Sequence, residues 1–446
     1  MRVFSNLSCF LRFLICIALL FCCPLLDAAA AGPVPAQSKP SALPAWRGFL
    51  HETNPFCYSA CLGEDGLDLT SPNQNILFKL GGRLQVDAGD ISANDELQTA
   101  FPGIDGADAL VRRMRVMLFA ALYNRLDLKL EFEFADVPTL TDGYFELKKV
   151  PYVGRLRVGH FKEPFSLEEL PSNNFITFME RSLPTLAFAP ERNLGFQLHN
   201  SFLAERITAA FGAFLDVGAL DTRTSFENAV ENASGYDLTT RVTGLPWFAD
   251  GGKRLLHLGL DYSHKFRRND TIDFAARPES HLTQDKLVDT GNVTADNVDL
   301  LDCELALVYG PLSLQSEFFQ AFTSGAGSTF YWGYYTYLSY FLTGENRPYT
   351  KSQGIFAEPR PNRNFNPLRG GWGAWEVALR HSYLDLVDGD VQGGKENNFS
   401  AGLNWYLNHN VRLMFNYIHV KVTERASPEV NDGIADIGQG RFQIFF

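Results

Sequence analysis

The chain has 446 residues, of which 46% are apolar and 20% charged, and it carries 37 Phe and 16 Tyr against only 5 Met. That length is too great for one small domain but suits a single large barrel, and the aromatic bias favours strands and membrane interfaces. A net charge of -12 excludes the basic footprint that nucleic-acid binding requires.

The first thirty-one residues predict an export signal. MRVFSNLSCFLR carries Arg2 and Arg12, an apolar core FLICIALLFCCPLL follows at 13–26, and DAAAAG offers a small-residue cleavage site near Ala31. Pro24 interrupts the apolar run, which is short for a membrane span. A lipoprotein reading of Cys22 and Cys23 is disfavoured by the bulky Phe21 before them. Residues 32–76 begin Pro-, Ala- and Ser-rich and read as a periplasmic extension or linker. They hold Cys57 and Cys61, which either close a small disulfide loop or remain independent thiols. Cys303, in an alternating run, reads as a small apolar filler.

From residue 77 to 446 short amphipathic segments recur. Those of the first half lie at 77–89, 111–123, 126–135, 143–150, 154–161, 194–201, 206–215 and 236–245. The second half adds 254–263, 301–310, 311–322, 330–341, 374–385, 398–407, 411–420 and 437–446. Most approach the roughly 9–11 residues of a tilted membrane-crossing strand. The third is the clearest: in RLDLKLEFEFAD (125–136), Leu126, Leu128, Leu130, Phe132 and Phe134 share one face, and Asp127, Lys129, Glu131 and Glu133 the other. Beyond the signal no stretch approaches eighteen uninterrupted apolar residues, so an exported chain of this kind is either soluble or a β-barrel.

The connections favour the barrel. Tight turns at Asn124-Arg125, Gly310-Pro311 and 408–410 follow even-numbered segments. Long ones at 162–193, 216–235 and 264–300 follow odd-numbered segments, as in a barrel with short periplasmic turns. Residues 342–373 break the rule by being long after the twelfth segment. The last strand ends on Phe446 with Phe442 and Ile444 on one face, the kind of ending that outer-membrane assembly recognises.

With the charged faces inward, the lumen would hold Arg83, Arg113, Arg115, Lys129, Arg155, Arg157, Arg241, Arg380, Arg412 and Arg441. Asp87, Asp127, Glu131, Glu133, Asp237, Asp261, Glu317 and Glu376 would stand among them. Such charges either keep a water-filled interior wet or form a column that moves anions. Arg113 and Arg115, two apart, form the best local anion candidate, while Lys129 among three carboxylates blunts anion preference in its strand. The segment 162–193 has the form of a capping box at Ser166–Glu169, stopped by Pro171, with Phe175, Phe178, Met179 and Ser182 at helical spacing. Its apolar face calls for packing inside the lumen or as a lid between subunits. Inside, it would bring Lys162, Glu163, Glu168, Glu169, Glu180, Arg181, Glu191 and Arg192 to a constriction.

The run RLRVGHFKEPFSLEELPSNNFITFMERSLPTLAFAPERNLGFQL (155–198) resembles the phosphate-selective porin O and P family, above all in GHFKEPFS, FMERSLP and APERNLG. GRLQVDAG, RRMRVMLFAALYN, YFLTGENRPY, GAWEVALRHSYLDL, GLNWYLNHNVRLMFNYIH and RFQIFF support it in order. The resemblance implies an all-β, sixteen-stranded transmembrane antiparallel barrel, trimeric, in the bacterial outer membrane, with the third external loop folded inward. It implies a passive channel for small hydrophilic solutes, with small anions such as phosphate and outer-membrane lipid as partners. It also implies that the long connection after the twelfth strand is genuine. Such a channel needs no nucleophile, cofactor or metal. Two other functions compete: a plugged barrel used for anchoring or adhesion, and an outer-membrane hydrolase. The hydrolase has little support, since His160, His257, His264 and His381 adjoin no nucleophile motif.

Overall fold

The computed structural model describes residues 59–63, 66–325 and 327–446. The signal segment, Cys57 and most of the extension lie outside the described residues. Sixteen long strands follow one another in chain order. The first eight are β1 (Ile76–Ala93), β2 (Gly106–Leu122), β3 (Leu126–Glu133), β4 (Thr139–Val150), β5 (Gly154–Lys162), β6 (Arg192–Phe202), β7 (Ile207–Leu215) and β8 (Gly235–Ala249). The rest are β9 (Arg254–Arg267), β10 (Asn297–Tyr309), β11 (Leu312–Ser324), β12 (Phe330–Phe341), β13 (Ala374–Asp388), β14 (Val391–Tyr406), β15 (Val411–Ala426) and β16 (Gly433–Phe445). Each corresponds to one predicted segment. Each pairs antiparallel with the next, and β16 returns to β1 with Arg441 opposite Asp87 and Phe442 opposite Val86. The sheet therefore closes and leaves no edge, as a structure in lipid must. A hairpin of Ser59–Gly63 and Gly66–Thr70 adds to the start of β1, with Leu67 opposite Leu80.

The sheet is inside out compared with a soluble one. On β3, Leu128 and Leu130 are exposed on the outer wall while Glu131 is buried inside. On β2, Met114, Val116 and Leu118 face out, and Arg113 and Arg115 face in. Burial of apolar surface orders such a wall only when lipid covers it. Cys303 corrects its filler reading: it is exposed on the outer face between Leu301 and Leu305. Aromatic side chains collect at both rims. Tyr123, Tyr152, Trp247, Tyr309 and Tyr340 sit by the short turns, where Trp375 and Trp405 stack at 4.8 Å. Tyr236, Tyr262, Phe322 and Phe330 mark the other end. These are the interfacial girdles of a membrane barrel. No helix among the described residues is long and apolar enough to cross a membrane.

Connections after β2, β4, β6, β8, β10 and β14 are tight. In the first of them Tyr123 and Asn124 take φ of 53° and 51°, the left-handed pair of a two-residue hairpin turn. The long 342–373 connection after β12 is confirmed. Three connections fold back into the lumen: 163–191 and 268–296 from one end, and 342–373 from the other.

Segment 163–191 packs inside, with Phe165, Leu167, Ile176, Phe178, Met179 and Leu183 all buried. Of the expected turns at 166–182 the first forms and the later ones do not. Ser166, at φ 69°, accepts through its hydroxyl from the Glu168 and Glu169 amides, and the Leu170 amide reaches the Ser166 carbonyl at 3.2 Å, a single turn that ends at Pro171; beyond it only Leu183–Phe188 is helical. The reason lies in the wall. Arg412 binds the carbonyls of Ile176 (2.8 Å) and Thr177 (3.2 Å), Arg441 that of Met179 (2.5 Å) and Arg380 that of Glu180 (3.0 Å). These arginines draw the carbonyls of 176–180 toward the barrel wall and away from the amides four residues on, so beyond Pro171 the segment follows an irregular path of turns and bends.

Candidate functional site

The three inward segments divide the lumen. Segment 163–191 lies across β12–β16, held there by Arg380, Arg412 and Arg441. Segment 268–296 covers the same side: Glu279 pairs with Arg380 (2.5 Å) and accepts from Ser400 (2.9 Å), and Ser280 donates to Gln439 (2.9 Å). From the other end, the 342–373 segment brings Tyr349 to His257 (2.6 Å), the Gly354 carbonyl to Arg241 (2.8 Å) and Arg347 to Gln315 (2.6 Å).

The remaining space follows β1–β8. It includes two cavities, of about 360 Å³ and about 330 Å³. The larger is bounded by the 350–357 part of the long turn, the smaller by residues 190–193 and 216–219 of the opposite end. Arg115 and Arg192 line both. They stand where the two cavities meet. Around the larger cavity are Arg83, Arg115, Lys129, Arg157, Lys162, Arg192 and Arg241, against the carboxylates Glu131 and Asp142.

The carboxylates hold the cations in place. Glu131 takes Arg83 (2.9 Å) and Arg115 (2.8 Å), and Glu133 takes Arg115 again (2.6 Å). Asp142 takes Lys129 (2.5 Å) and Arg192 (2.8 Å). Further along, Arg155 (3.0 Å) and Arg157 (2.6 Å) share Glu146, and Arg157 lies over the Tyr144 ring at 4.4 Å. Six cations thus share four carboxylates. The excess is positive, and each guanidinium is oriented before a solute arrives. Preorganised donors of this kind suit planar or tetrahedral oxyanions.

Of the sequence candidates, Arg83, Arg115, Lys129, Arg157, Lys162 and Arg192 border this passage, and Arg155 stands next to it through Glu146. The Arg113–Arg115 pair is divided by the constriction segment. A bulge at Arg112 on β2, opposite Gln85 and Val86 of β1, turns Arg112 inward beside Arg113, and both face Glu180, at 2.8 and 3.5 Å. Arg113 is buried beneath the segment rather than on the passage, and so is Arg441. Glu163 accepts from Asn193 (2.8 Å) and Thr239, and Arg181 pairs with Glu169 (2.7 Å). Burial alone would raise the Glu180 carboxyl, but the guanidiniums of Arg112, Arg113 and Arg441 outweigh it and hold it well below the usual carboxylate range. Burial pushes the nearby His281 imidazole down to about 3, against the pull of Glu180, so this ring carries no charge at neutral pH.

Sequence reasoning missed three things. Arg112 defied period 2 because of the bulge. Asp142 lies just outside the predicted 143–150 segment. The 350–357 wall has no periodicity to read.

A family model for phosphate-selective porin O and P matches residues 78–446. The chain belongs to that family. Porin O of Pseudomonas aeruginosa is 26% identical over 429 residues, covering 85% of this chain and 91% of its own. An uncharacterized protein of Caulobacter vibrioides is 31% identical over 349 residues, 76% of this chain and 68% of that one. Among solved structures, the anion-selective porin from Comamonas acidovorans superposes with a TM-score of 0.51 at 13% identity, covering 83% of this chain and all (100%) of that one. Pseudomonas putida OprB gives a TM-score of 0.51 at 11% identity, over 84% of this chain and 95% of its own. Both share the barrel fold. This porin is therefore an outer-membrane channel for small hydrophilic solutes and not an enzyme.

Proposed function

We propose that this porin passes small anions, phosphate among them, along the β1–β8 side of its lumen, and that it works as a homotrimer. The observation carrying the anion reading is the charge of the passage. Seven lysines and arginines border its larger cavity against two carboxylates, in a chain whose net charge is -12. The acidic excess lies elsewhere, and the carboxylates on β3 and β4 act as anchors for the cations. Rings of Arg and Lys favour anionic solutes. The names of the family and of the Comamonas acidovorans porin point the same way.

The test is the reversal potential of the purified protein in a planar bilayer under a KCl gradient. Chloride preference is expected, with KCl conductance reduced by added phosphate as that anion occupies the arginines. Potassium preference would overturn the reading, and a silent bilayer would favour a plugged, anchoring barrel. Unheated electrophoresis after chemical crosslinking should give a band of three chains; a single-chain band would remove the trimer.

A further inference from the structure

The strongest feature outside the passage is a knot of acid on the opposite wall. Asp261 on β9 stands directly across from Asp302 on β10, and Glu304 on β10 directly across from Glu317 on β11. Like charges in directly opposed positions destabilise a sheet. All four side chains are buried, Asp261 and Asp302 with 0% exposure. One carboxylate oxygen each from Asp261, Asp302 and Glu304 falls within 4.8 Å of the others.

The surrounding donors satisfy part of this cluster. Arg241 makes a fork to Glu304 at 2.8 and 2.9 Å and reaches Asp261 at 3.6 Å, while His257 meets Glu304 at 2.8 Å. Glu317 accepts from the Ser166 hydroxyl (2.9 Å), the amides of Leu167 and Glu168, and the Tyr335 hydroxyl (2.9 Å). Asp261 accepts from the Ser166 amide at 2.6 Å through one oxygen only. Its other oxygen, and both oxygens of Asp302, have no hydrogen-bond partner among the described residues. Even with His257 protonated, four carboxylates face two cations. A buried anion with neither a donor nor a counter-charge is costly, and Asp302 has neither.

We infer that Asp261, Asp302 and Glu304 bind one Ca²⁺ ion through these carboxylate oxygens. Hard oxygen donors without nitrogen or sulfur suit Ca²⁺ or Mg²⁺, and Ca²⁺ tolerates irregular carboxylate cages better than the strictly octahedral Mg²⁺. The ion supplies the counter-charge that Asp302 lacks. It also acts on the channel. Asp261 and Glu317 hold the amides of Ser166, Leu167 and Glu168, which form the root of the constriction segment. A cation there fixes Asp261 and thereby the point at which that segment leaves the wall.

The test uses the full-length protein in detergent, loaded with CaCl₂, dialysed against metal-free buffer and analysed for calcium by atomic emission. About one Ca²⁺ per chain is expected to remain, resisting excess MgCl₂. Asp302→Asn should lose it and, with one charge fewer in the knot, unfold at a higher temperature than the wild type in EDTA. Should Asp302→Asn fail to assemble, Asp261→Asn removes the other free ligand atom and is read by the same count. A wild type that retains no Ca²⁺ overturns the site. So does equal calcium in wild type and variant, which is calcium carried by bound lipid.

Discussion

Replacing Arg441 by Ala should widen the channel, raising single-channel conductance severalfold and exposing residues 170–182 to proteolysis. Arg441 joins the seam of the barrel to the constriction segment. Its guanidinium forks onto Asp87 at 2.6 and 2.7 Å across the β16–β1 closure. The same group reaches the Met179 carbonyl at 2.5 Å and Glu180 at 2.6 Å. Its side chain is fully buried. Removal leaves Asp87 buried without its counter-charge, while Glu180 keeps Arg112, and breaking a buried pair in this way costs about 3–5 kcal/mol. The segment also loses the Met179 and Glu180 contacts that fasten it to β16, which frees its apolar face to withdraw from the lumen. Arg441→Lys should not restore the native conductance, because an ammonium cannot fork onto Asp87 while also reaching the carbonyl of Met179. The barrel should also unfold at a lower temperature in unheated-versus-heated electrophoresis, since the lost pair spans the closing strands. Unchanged conductance in Arg441→Ala would show that Arg380 and Arg412 hold the segment without it.

The strands were legible because lipid and lumen impose a strict two-residue period on every one of them. Each predicted segment lies within a real strand or overruns its end by a residue or two. Where the period breaks, the sequence became silent. The bulge on β2 brought Arg112 inside against its parity. The irregular path of 171–182 was hidden because Phe175, Phe178 and Met179 have helical spacing, and the competing demand came from arginines more than 200 residues away in the chain. The apolar content of that segment did announce that it packs inside. Segments 268–296 and 342–373 carry no comparable apolar stripe, so their inward fold was not readable. The acid knot was within reach of pattern reading. Leu301, Cys303 and Leu305 alternate with Asp302 and Glu304, and that alternation alone sends both carboxylates to the lumen. The charge of the passage could not be counted from sequence, because the inward segments decide which lumenal arginines still meet water.

That distinction yields the second large effect. Arg115→Ala combined with Arg192→Ala should remove most of the channel's anion preference. These two arginines line both cavities, so every solute on this path passes them. Without them Arg83, Lys129, Arg155 and Arg157 would face Glu131, Glu133, Asp142 and Glu146, four against four, and the positive excess of that group would be gone. Two unit charges 4 Å apart interact by about 4 kcal/mol at an effective dielectric of about 20. Even a fraction of that, applied to one ion against its opposite, changes the permeability ratio by tenfold or more, at about 1.4 kcal/mol per factor of ten. The shift should be largest near 0.1 M KCl and fade towards 1 M, where screening shortens to about 3 Å. Arg113→Ala is the informative contrast. It lies on the same strand two residues from Arg115, yet it is buried against Gln85 (2.8 Å) and Glu180. Its loss should leave the reversal potential near the native value. If Arg113→Ala alone abolished selectivity while the Arg115–Arg192 double variant kept it, the conducting path would have to run beneath the constriction segment, on the other side of the lumen.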